Sequence, residues 1–227
     1  MGVSAISDVV TIDGPAGAGK STVARRAAER LRFAFLDTGA MYRAATWRAL
    51  HLKVPLTDAD ALATVTREMQ LEMRDDNTVL VDGVDVSQAI RTPEVTRCIH
   101  HLADNPLVRD VIVAQQRAIA SQRPTVAEGR DMGTIVFPDA ACKIYLDASP
   151  EERARRRAID MEAAGHAVDP DELAQEIRDR DERDHNRTVA PLRPADDAIE
   201  VDTTGMTPEE TVDVIVALVE ATRGTAA

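Results

Sequence analysis

The fold is decided by the stretch Gly14-Pro15-Ala16-Gly17-Ala18-Gly19-Lys20-Ser21, because its spacing is that of a phosphate-binding loop. Glycines at these positions allow backbone angles that residues with a Cβ resist, so the N–H groups of the loop can turn inward toward phosphate oxygens. In such loops the lysine reaches the β- and γ-phosphates, and the hydroxyl that follows it binds Mg²⁺. The stretch therefore predicts a site for the phosphates of a nucleotide.

The sequence on both sides of the loop fits this prediction. Residues 8–13 are a short, largely β-branched run that predicts a buried strand, and residues 22–31 carry apolar side chains at helical spacing. The N-terminus of that helix would point its positive dipole end at the same phosphates. The motif requires the order strand, glycine-rich turn, helix, and the sequence has this order. It therefore favours a phosphate-binding loop over the alternative, a glycine-rich turn that binds nothing.

Strand-like and helix-like patterns alternate along the chain, which predicts an α/β fold with a P-loop NTPase-like parallel sheet flanked by helices. One region departs from the alternation. Residues 71–74 and 78–81 flank Asp75-Asp76-Asn77, which predicts a hairpin turn, and residues 84–86 offer a third strand. We therefore expect a small antiparallel β insertion over residues 63–92. The predicted core strands are residues 9–12, 33–36, 125–127, 142–146 and 198–201, and the predicted helices follow the loop and then span residues 41–50, 93–121, 150–164, 169–186 and 208–221.

Composition and charge narrow the function classes. The 227 residues carry a formal net charge of −12, which repels nucleic acid and anionic membranes, so we expect neither as a partner. No run approaches the ~18 apolar residues that a membrane span needs. Cys98 and Cys142 are far apart and predict reduced thiols in a cytoplasmic protein. Three of the 27 basic residues are lysine, so 24 are arginine, the residue that holds phosphate oxygens bidentately.

Residues 36–43 follow the second predicted strand, at the edge where parallel sheets bind ligands. Thr38 is predicted to cap a helix, and Arg43 would lie about one turn into it. An arginine beside a helix N-terminus suits a second phosphate. Ordinary capping with a solvated arginine is the alternative, and the residues alone do not decide between them.

Residues 126–134 form a similar segment after a later strand. Glu128 ends the apolar run, where phosphate-loop proteins hold the shell of Mg²⁺. Arg130 and Asp131 lie beside two glycines, which predicts a tight turn with both a donor fork and an acceptor. That mixture suits a base or a sugar hydroxyl, while a surface turn with a local ion pair is the alternative.

Two charged runs complete the candidates. Residues 153–157 include four arginines close together in a predicted helix. A bound polyanion would relieve their mutual repulsion. The alternative is a solvated basic face that pairs with Glu151 and Glu152.

In the run 177–187, helical spacing puts Arg180, Asp184 and Arg187 on one face. That face could hold an anion with two guanidinium forks that Asp184 orients, or it could belong to a salt-bridged surface helix.

In this order, the segments resemble those of bacterial cytidylate kinases. Leu36-Asp37-Thr38-Gly39-Ala40-Met41-Tyr42-Arg43 fits the pattern D-[ST]-G-A-x-Y-R, and Gly129-Arg130-Asp131-Met132-Gly133-Thr134 reads G-R-D-M-G-T. Both patterns are specific to that family, and Ile90-Arg91-Thr92 and residues 180–187 match it as well. The resemblance implies transfer of the γ-phosphate of ATP to CMP or dCMP, giving ADP and a nucleoside diphosphate, with Mg²⁺.

The resemblance also implies a division of the chain. A single nucleoside monophosphate kinase unit would span residues 1–227, and we expect it to be a monomer. Its core would comprise residues 8–62, 93–150 and 186–227. A monophosphate-binding insertion would span residues 63–92, and a short helical lid would span residues 151–170.

The family's functional residues carry over onto the matching positions. Catalysis is implied for Lys20, Arg130, Arg180 and Arg187. The implied ATP-binding residues are Gly14, Pro15, Ala16, Gly17, Ala18, Gly19, Lys20, Ser21, Thr22, Arg156 and Arg157. The implied CMP-binding residues are Thr38, Tyr42, Arg43, His100, Arg109, Arg130, Asp131, Arg180, Asp184 and Arg187, of which Arg109 and Asp131 would read the cytosine edge and Asp184 would contact the sugar hydroxyls. Mg²⁺ is implied at Ser21 and Glu128, partly through water, with Asp37 as a further candidate.

This sequence departs from the family pattern at three positions. His100 or a neighbour occupies the position where the family often has serine in the cytosine pocket. Glu128 occupies a position where aspartate is common, and Ser21 occupies one where relatives have glycine or threonine.

Two other functions stay open. One is a kinase that acts on UMP, AMP or a small alcohol; the other is a nucleotide-binding switch, although the chain has no N-K-x-D motif for reading guanine.

Overall fold

Parallel strands alternate with helices in the computed structural model, which describes residues 8–163 and 169–225. It divides into two units, one formed by the chain up to Leu36 and from Arg123 onward, the other by Asp37 to Gln122. The strands are β1 (Val9–Asp13), β2 (Ala34–Asp37), β3 (Leu71–Met73), β4 (Val79–Val81), β5 (Val84–Asp85), β6 (Thr125–Glu128), β7 (Cys142–Asp147) and β8 (Ile199–Asp202). The helices are α1 (Lys20–Leu31), α2 (Thr38–His51), α3 (Ala59–Glu68), α4 (Pro93–Ala103), α5 (Pro106–Ala120), α6 (Pro150–Ala163), α7 (Pro170–His185) and α8 (Pro208–Thr225). A 3₁₀ turn spans Ala89–Arg91, and a π-helical turn spans Met132–Val136.

The central sheet has the strand order β2-β6-β1-β7-β8. Both β6 and β7 run parallel to β1, so the carboxyl ends of these three strands lie next to one another. β1 ends at Asp13, directly before the phosphate loop, and β6 ends at Glu128. The sheet thus brings the phosphate loop and residues 128–134 to one edge, where open parallel sheets bind their ligands. The predicted α/β fold is confirmed.

One face of this sheet packs against α1 and α8. Val10, Ile12 and Ile144 are buried there in one cluster with Val23 of α1 and Ile215 of α8. Burial of a side chain of this size stabilises the fold by about 1.5–3 kcal/mol. Because side chains alternate along a strand, the polar residues of β1 are directed to the opposite face, the one that serves the candidate site.

The unit from Asp37 to Gln122 contains α2 to α5 and an antiparallel sheet with the order β3-β4-β5. β3 pairs with β4, and β4 with β5, so the predicted hairpin and its third strand are confirmed. Asn77 in the turn takes a left-handed φ of 71°, which asparagine tolerates better than most residues. The strands begin only at Leu71, because α3 extends to Glu68 and occupies the first part of the predicted insertion.

The helix predicted over residues 93–121 is wrong in one respect, since it is two helices. Asn105 interrupts it: its side chain accepts the backbone N–H of Leu107 at 3.0 Å. Pro106 then occupies the first position of α5, where its missing N–H costs nothing. An asparagine cap followed by proline is a local signal for a helix start.

The predicted helix cap at Thr38 is also wrong. Asp37 has an extended backbone, and its Oδ1 accepts the N–H of Ala40 at 2.8 Å, so it caps α2 and Thr38 is the first helical residue. A carboxylate at this position gains both the hydrogen bond and the attraction of the helix dipole.

Helices α6 and α7 lie on either side of residues 164–168, which are outside the described residues. The predicted lid at residues 151–170 is therefore described only in part. Within the described ranges, no helix is both long and apolar enough to cross a membrane.

Candidate active site

The glycines of the phosphate loop adopt backbone angles that favour glycine. The angle φ is 146° at Gly14, 79° at Gly17 and 81° at Gly19. Gly14 also has no room for a side chain, since a Cβ built there would lie 2.0 Å from the carbonyl oxygen of Leu146. α1 begins at Lys20, and Gly19 provides no side-chain cap. The N–H groups at the start of α1 are thus suited to an anion.

Lys20 is nearly inaccessible to solvent, with 6% of the residue exposed. Its Nζ donates to the carbonyl oxygen of Pro15 at 2.7 Å. Burial is the main cause that lowers the pKa of Lys20 to about 7; the positive charge of Arg130 adds to this effect, and the negative charge of Glu128 opposes it. An arriving phosphate would favour the charged lysine, so Lys20 is set to gain a proton on binding.

This pKa predicts proton uptake when a nucleoside triphosphate binds. At pH 8 the free protein should hold Lys20 mostly neutral, since its pKa is about 7, and bound phosphates should recharge it. At pH 6 the lysine is already charged, so this uptake should disappear. Calorimetric titration with a non-hydrolysable ATP analogue, in buffers of different ionisation enthalpy, measures the protons bound. The Lys20→Met variant corrects for protons on the nucleotide, and equal uptake by both proteins at pH 8 would contradict the prediction.

Ser21 and Glu128 meet at the edge of the sheet. The hydroxyl of Ser21 donates to Oε1 of Glu128 at 2.7 Å, and Glu128 is buried at the end of β6. A hydroxyl and a carboxylate are oxygen ligands of the type that Mg²⁺ takes, and Mg²⁺ is commonly bound by one or two protein groups together with substrate phosphates and water. The donor set of these two residues therefore fits the predicted ion.

Asp13 fixes the turn that carries Arg130 and Asp131. Its two carboxylate oxygens accept the backbone N–H groups of Met132 (2.9 Å) and Gly133 (2.8 Å). Burial raises the pKa of Asp13 to about 6, against the lowering effect of these two hydrogen bonds. Asp13 thereby links the strand before the phosphate loop to a turn 120 residues away.

Three of the predicted arginines surround Asp184, which is 3% exposed. Arg130 contacts its Oδ2 at 3.2 Å, Arg187 its Oδ1 at 2.6 Å, and Arg180 its Oδ2 at 3.9 Å. Burial alone would raise the pKa of Asp184, but the charges of Arg130 and then of the other two hold it below its usual range. Three guanidinium groups thus converge on one buried carboxylate, and guanidinium groups are well suited to hold phosphate oxygens.

Replacement of Asp184 by asparagine should destabilise the fold. The change removes a buried carboxylate that three guanidinium groups contact, and we expect the free energy of unfolding at pH 7 to fall by about 2 kcal/mol. Because the folded pKa is lowered, this stabilisation exists above the unfolded pKa and is lost as the pH falls below about 4. Urea unfolding of wild type, Asp184→Asn and the exposed neighbour variant Glu182→Gln at pH 7 checks this. Equal losses in the two variants would refute it.

Apart from Asp131, which lies on the turn held by Asp13, the other predicted acceptor-site residues lie in the unit from Asp37 to Gln122. Arg109 is buried and donates to the carbonyl oxygen of Ala103 at 3.5 Å, and its guanidinium carbon lies 5.8 Å from the ring centre of Tyr42. Arg43 donates to the hydroxyl of Thr96 at 3.1 Å. Arg109 and Tyr42 are thus brought together, while their contact with CMP remains a prediction.

His100 and Asp37 have other contacts in the same unit. The ring of His100 lies against that of His101, with 4.1 Å between the ring centres, and its Nδ1 is 2.8 Å from the carbonyl oxygen of Arg97. Asp37 pairs with Arg91 at 3.5 Å besides capping α2. Base contact by His100 and metal binding by Asp37 stay predictions.

Arg156 lies against the phosphate loop, whereas Arg157 is exposed. The Nη1 of Arg156 lies 3.4 Å from the carbonyl oxygen of Ala18 and 3.0 Å from the hydroxyl of Thr203. Its Nε donates to Glu152 at 2.8 Å, so part of the basic run is paired as the surface alternative predicts.

Sequence reasoning missed three side chains that shape this site: Asp13, Arg153 and Asp181. Asp13 had a local signal, since it is an acidic residue at the end of a buried strand just before the loop. Arg153 and Asp181 lie within charged runs from which helical spacing and the family resemblance selected other residues. Only the structure separates Arg153, which is 6% exposed, from the more exposed arginines that follow it in the run.

Comparison with known proteins agrees with this geometry. A family model described as cytidylate kinase matches residues 10–221. A cytidylate kinase from Rhodopirellula baltica is 50% identical over 211 residues, which cover 93% of this chain and 92% of that protein. A bifunctional pantoate ligase/cytidylate kinase from Synechococcus is 48% identical over 92% of this chain, which spans only 40% of that longer protein. A solved structure of a protein from Eubacterium ventriosum shares the fold, with a TM-score of 0.51, 12% identity, and coverage of 93% of this chain and 98% of that one. The chain therefore belongs to the cytidylate kinase family.

Proposed function

We propose that this protein transfers the γ-phosphate of ATP to CMP or dCMP, giving ADP and CDP or dCDP. The observation that carries the proposal is a pair of cationic groupings in one structural unit, each suited to a phosphate: the loop over Lys20, and the arginines around Asp184. The charge of Arg130 acts on both, since it pairs with Asp184 and lowers the pKa of Lys20. A donor and an acceptor phosphate are what a nucleoside monophosphate kinase must hold together.

The reaction needs positioning and charge more than proton transfer. An oxygen of the acceptor phosphate attacks the γ-phosphorus in line, through a loose transition state whose charge spreads over the transferred group. That attacking oxygen is already anionic near neutral pH, so no strong general base is required. Lys20, Arg130, Arg180 and Arg187 would stabilise the developing charge.

On the donor side, residues 14–22 would hold the triphosphate through backbone N–H groups, with Arg156 and Arg157 above them. Ser21 and Glu128 would hold Mg²⁺, partly through water. The bound ion would neutralise charge on the β- and γ-phosphates.

On the acceptor side, Arg43, Arg130, Arg180 and Arg187 would hold the phosphate of CMP. Arg109 and Asp131 would read the cytosine edge, assisted by Thr38, Tyr42 and His100, and Asp184 would contact the sugar while it orients the arginines. We further propose the division into core, insertion (residues 63–92) and lid (residues 151–170), and a monomer that acts in the cytoplasm.

The test is ADP formation from ATP and Mg²⁺ with CMP, dCMP, UMP and AMP in turn. We expect CMP and dCMP to raise ADP formation far above the other two. If UMP or AMP is the better acceptor, the reaction class stands and the base assignment fails. If no monophosphate raises turnover above basal hydrolysis in a folded sample, the acceptor assignment is wrong.

A further inference from the structure

Both backbone polar groups of one phosphate-loop residue, Ala16, are bonded by side chains from α6 and α7. The backbone N–H of Ala16 donates to Oδ1 of Asp181 at 3.3 Å, and Nη1 of Arg153 donates to the carbonyl oxygen of Ala16 at 3.1 Å. Arg153 and Asp181 are also paired with each other, through Nη1 and Oδ2. Ala16, Asp181 and Arg153 thus close a ring of hydrogen bonds.

The side chain of Arg153 is buried and hydrogen-bonded at this point. Only 6% of the residue is exposed, and its Nε donates to the carbonyl oxygen of Ala148 at 3.0 Å. The loop packs directly on its main chain, since a Cβ at Gly17 would lie 3.0 Å from both Cβ and the carbonyl oxygen of Arg153. Because this guanidinium is buried and hydrogen-bonded, its position is fixed, and it holds the carboxylate of Asp181 in one place.

Asp181 stands next to the proposed acceptor residues in sequence and in space. It follows Arg180 directly, and Asp184 lies three residues further along the same helix, which is nearly one turn. A shift or rotation of α7 would therefore move Arg180 and Asp184 together with the carboxylate that bonds the phosphate loop. The loop in turn must adjust its N–H groups to a bound triphosphate.

We propose that Asp181, held by Arg153, is a positioning residue that couples the phosphate loop to Arg180 of α7 and, through Asp184, to Arg187 just beyond the helix. Donor and acceptor nucleotides would then strengthen each other's binding. The proposal rests on the proposed function, because it takes Arg180 and Arg187 as acceptor ligands. Coupling of this kind is a free energy shared between two sites, and each ligand must change the affinity of the other by the same factor.

The experiment measures the dissociation constant of CMP by calorimetry, with and without a saturating non-hydrolysable ATP analogue. For wild type we expect CMP to bind at least about fivefold tighter with the analogue present, within the usual range of coupling. Asp181→Asn should bring that factor close to one. Glu182→Gln removes the same charge from the neighbouring exposed position and should keep the wild-type factor.

Arg153→Lys supplies the second variant, because a single ammonium cannot replace the fork that bonds Ala148 and Ala16. It should lose coupling as Asp181→Asn does, and the double variant should lose no more than either one alone. Full coupling in Asp181→Asn, or no coupling in wild type, would overturn the proposal. If wild type neither binds nor phosphorylates CMP, the proposed function fails first, and that outcome is distinguished by the turnover assay on wild type alone.

Discussion

Replacement of Lys20 by methionine should lower kcat/KM for CMP phosphorylation by about 10³-fold, or ~4 kcal/mol of transition-state stabilisation. Lys20 places an ammonium group under the loop, with its Nζ 2.7 Å from the carbonyl oxygen of Pro15, and the proposed function puts the β- and γ-phosphates within its reach. Methionine keeps most of the length and apolar volume of the side chain but removes the charge. Steady-state ADP formation with CMP as acceptor measures the loss.

The folded state should survive this change. Burial disfavours the charge of Lys20 strongly enough to lower its pKa to about 7, so an uncharged side chain fits the same space at little cost. We therefore expect the thermal unfolding temperature to stay close to that of wild type. Lys53→Met, at an exposed lysine in the other structural unit, is the control and should keep full activity. A loss below about tenfold in Lys20→Met would remove Lys20 from the catalytic residues.

The second large effect is on stability: alanine at Gly14 should destabilise the protein by more than about 4 kcal/mol, a loss that single substitutions rarely reach. Its Cβ would lie 2.0 Å from the carbonyl oxygen of Leu146, which is part of β7 beside the loop. Backbone on both sides would have to move, and the φ of 146° is itself unfavourable for alanine. Urea unfolding of the purified variant, or its failure to accumulate as soluble protein, measures this.

Gly205 separates the two causes. It also has a positive φ, of 76°, but a Cβ there meets nothing within 4 Å. Gly205→Ala should therefore show the backbone cost alone, about 1 kcal/mol. If Gly14→Ala is destabilised no more than Gly205→Ala, the close approach to Leu146 does not constrain the loop.

Local patterns in the sequence predicted the parts of this protein that depend on neighbouring residues. The phosphate loop and the helix after it follow from glycine spacing, and the hairpin follows from Asp75-Asp76-Asn77 between two short strand-like runs. The split at Asn105-Pro106 also has a local signal, a cap followed by proline. The cap at Asp37 rather than Thr38 was harder, because both residue types cap helices and only the backbone at the end of β2 decides.

The tertiary structure decided which charges meet. Asp184 meets Arg130 across 54 residues, and Arg153 meets Ala16 across 137. These contacts exist because β6 and β7 lie on either side of β1, and that strand order brings segments distant in sequence to one edge of the sheet. The sequence by itself determined the phosphate loop, the α/β class and the family resemblance, since each depends on patterns of residues that are close together in the chain. The buried carboxylate that the arginines contact and the ring that includes Ala16 were decided by packing, because a charged run offers many equivalent partners until the fold buries a few of them.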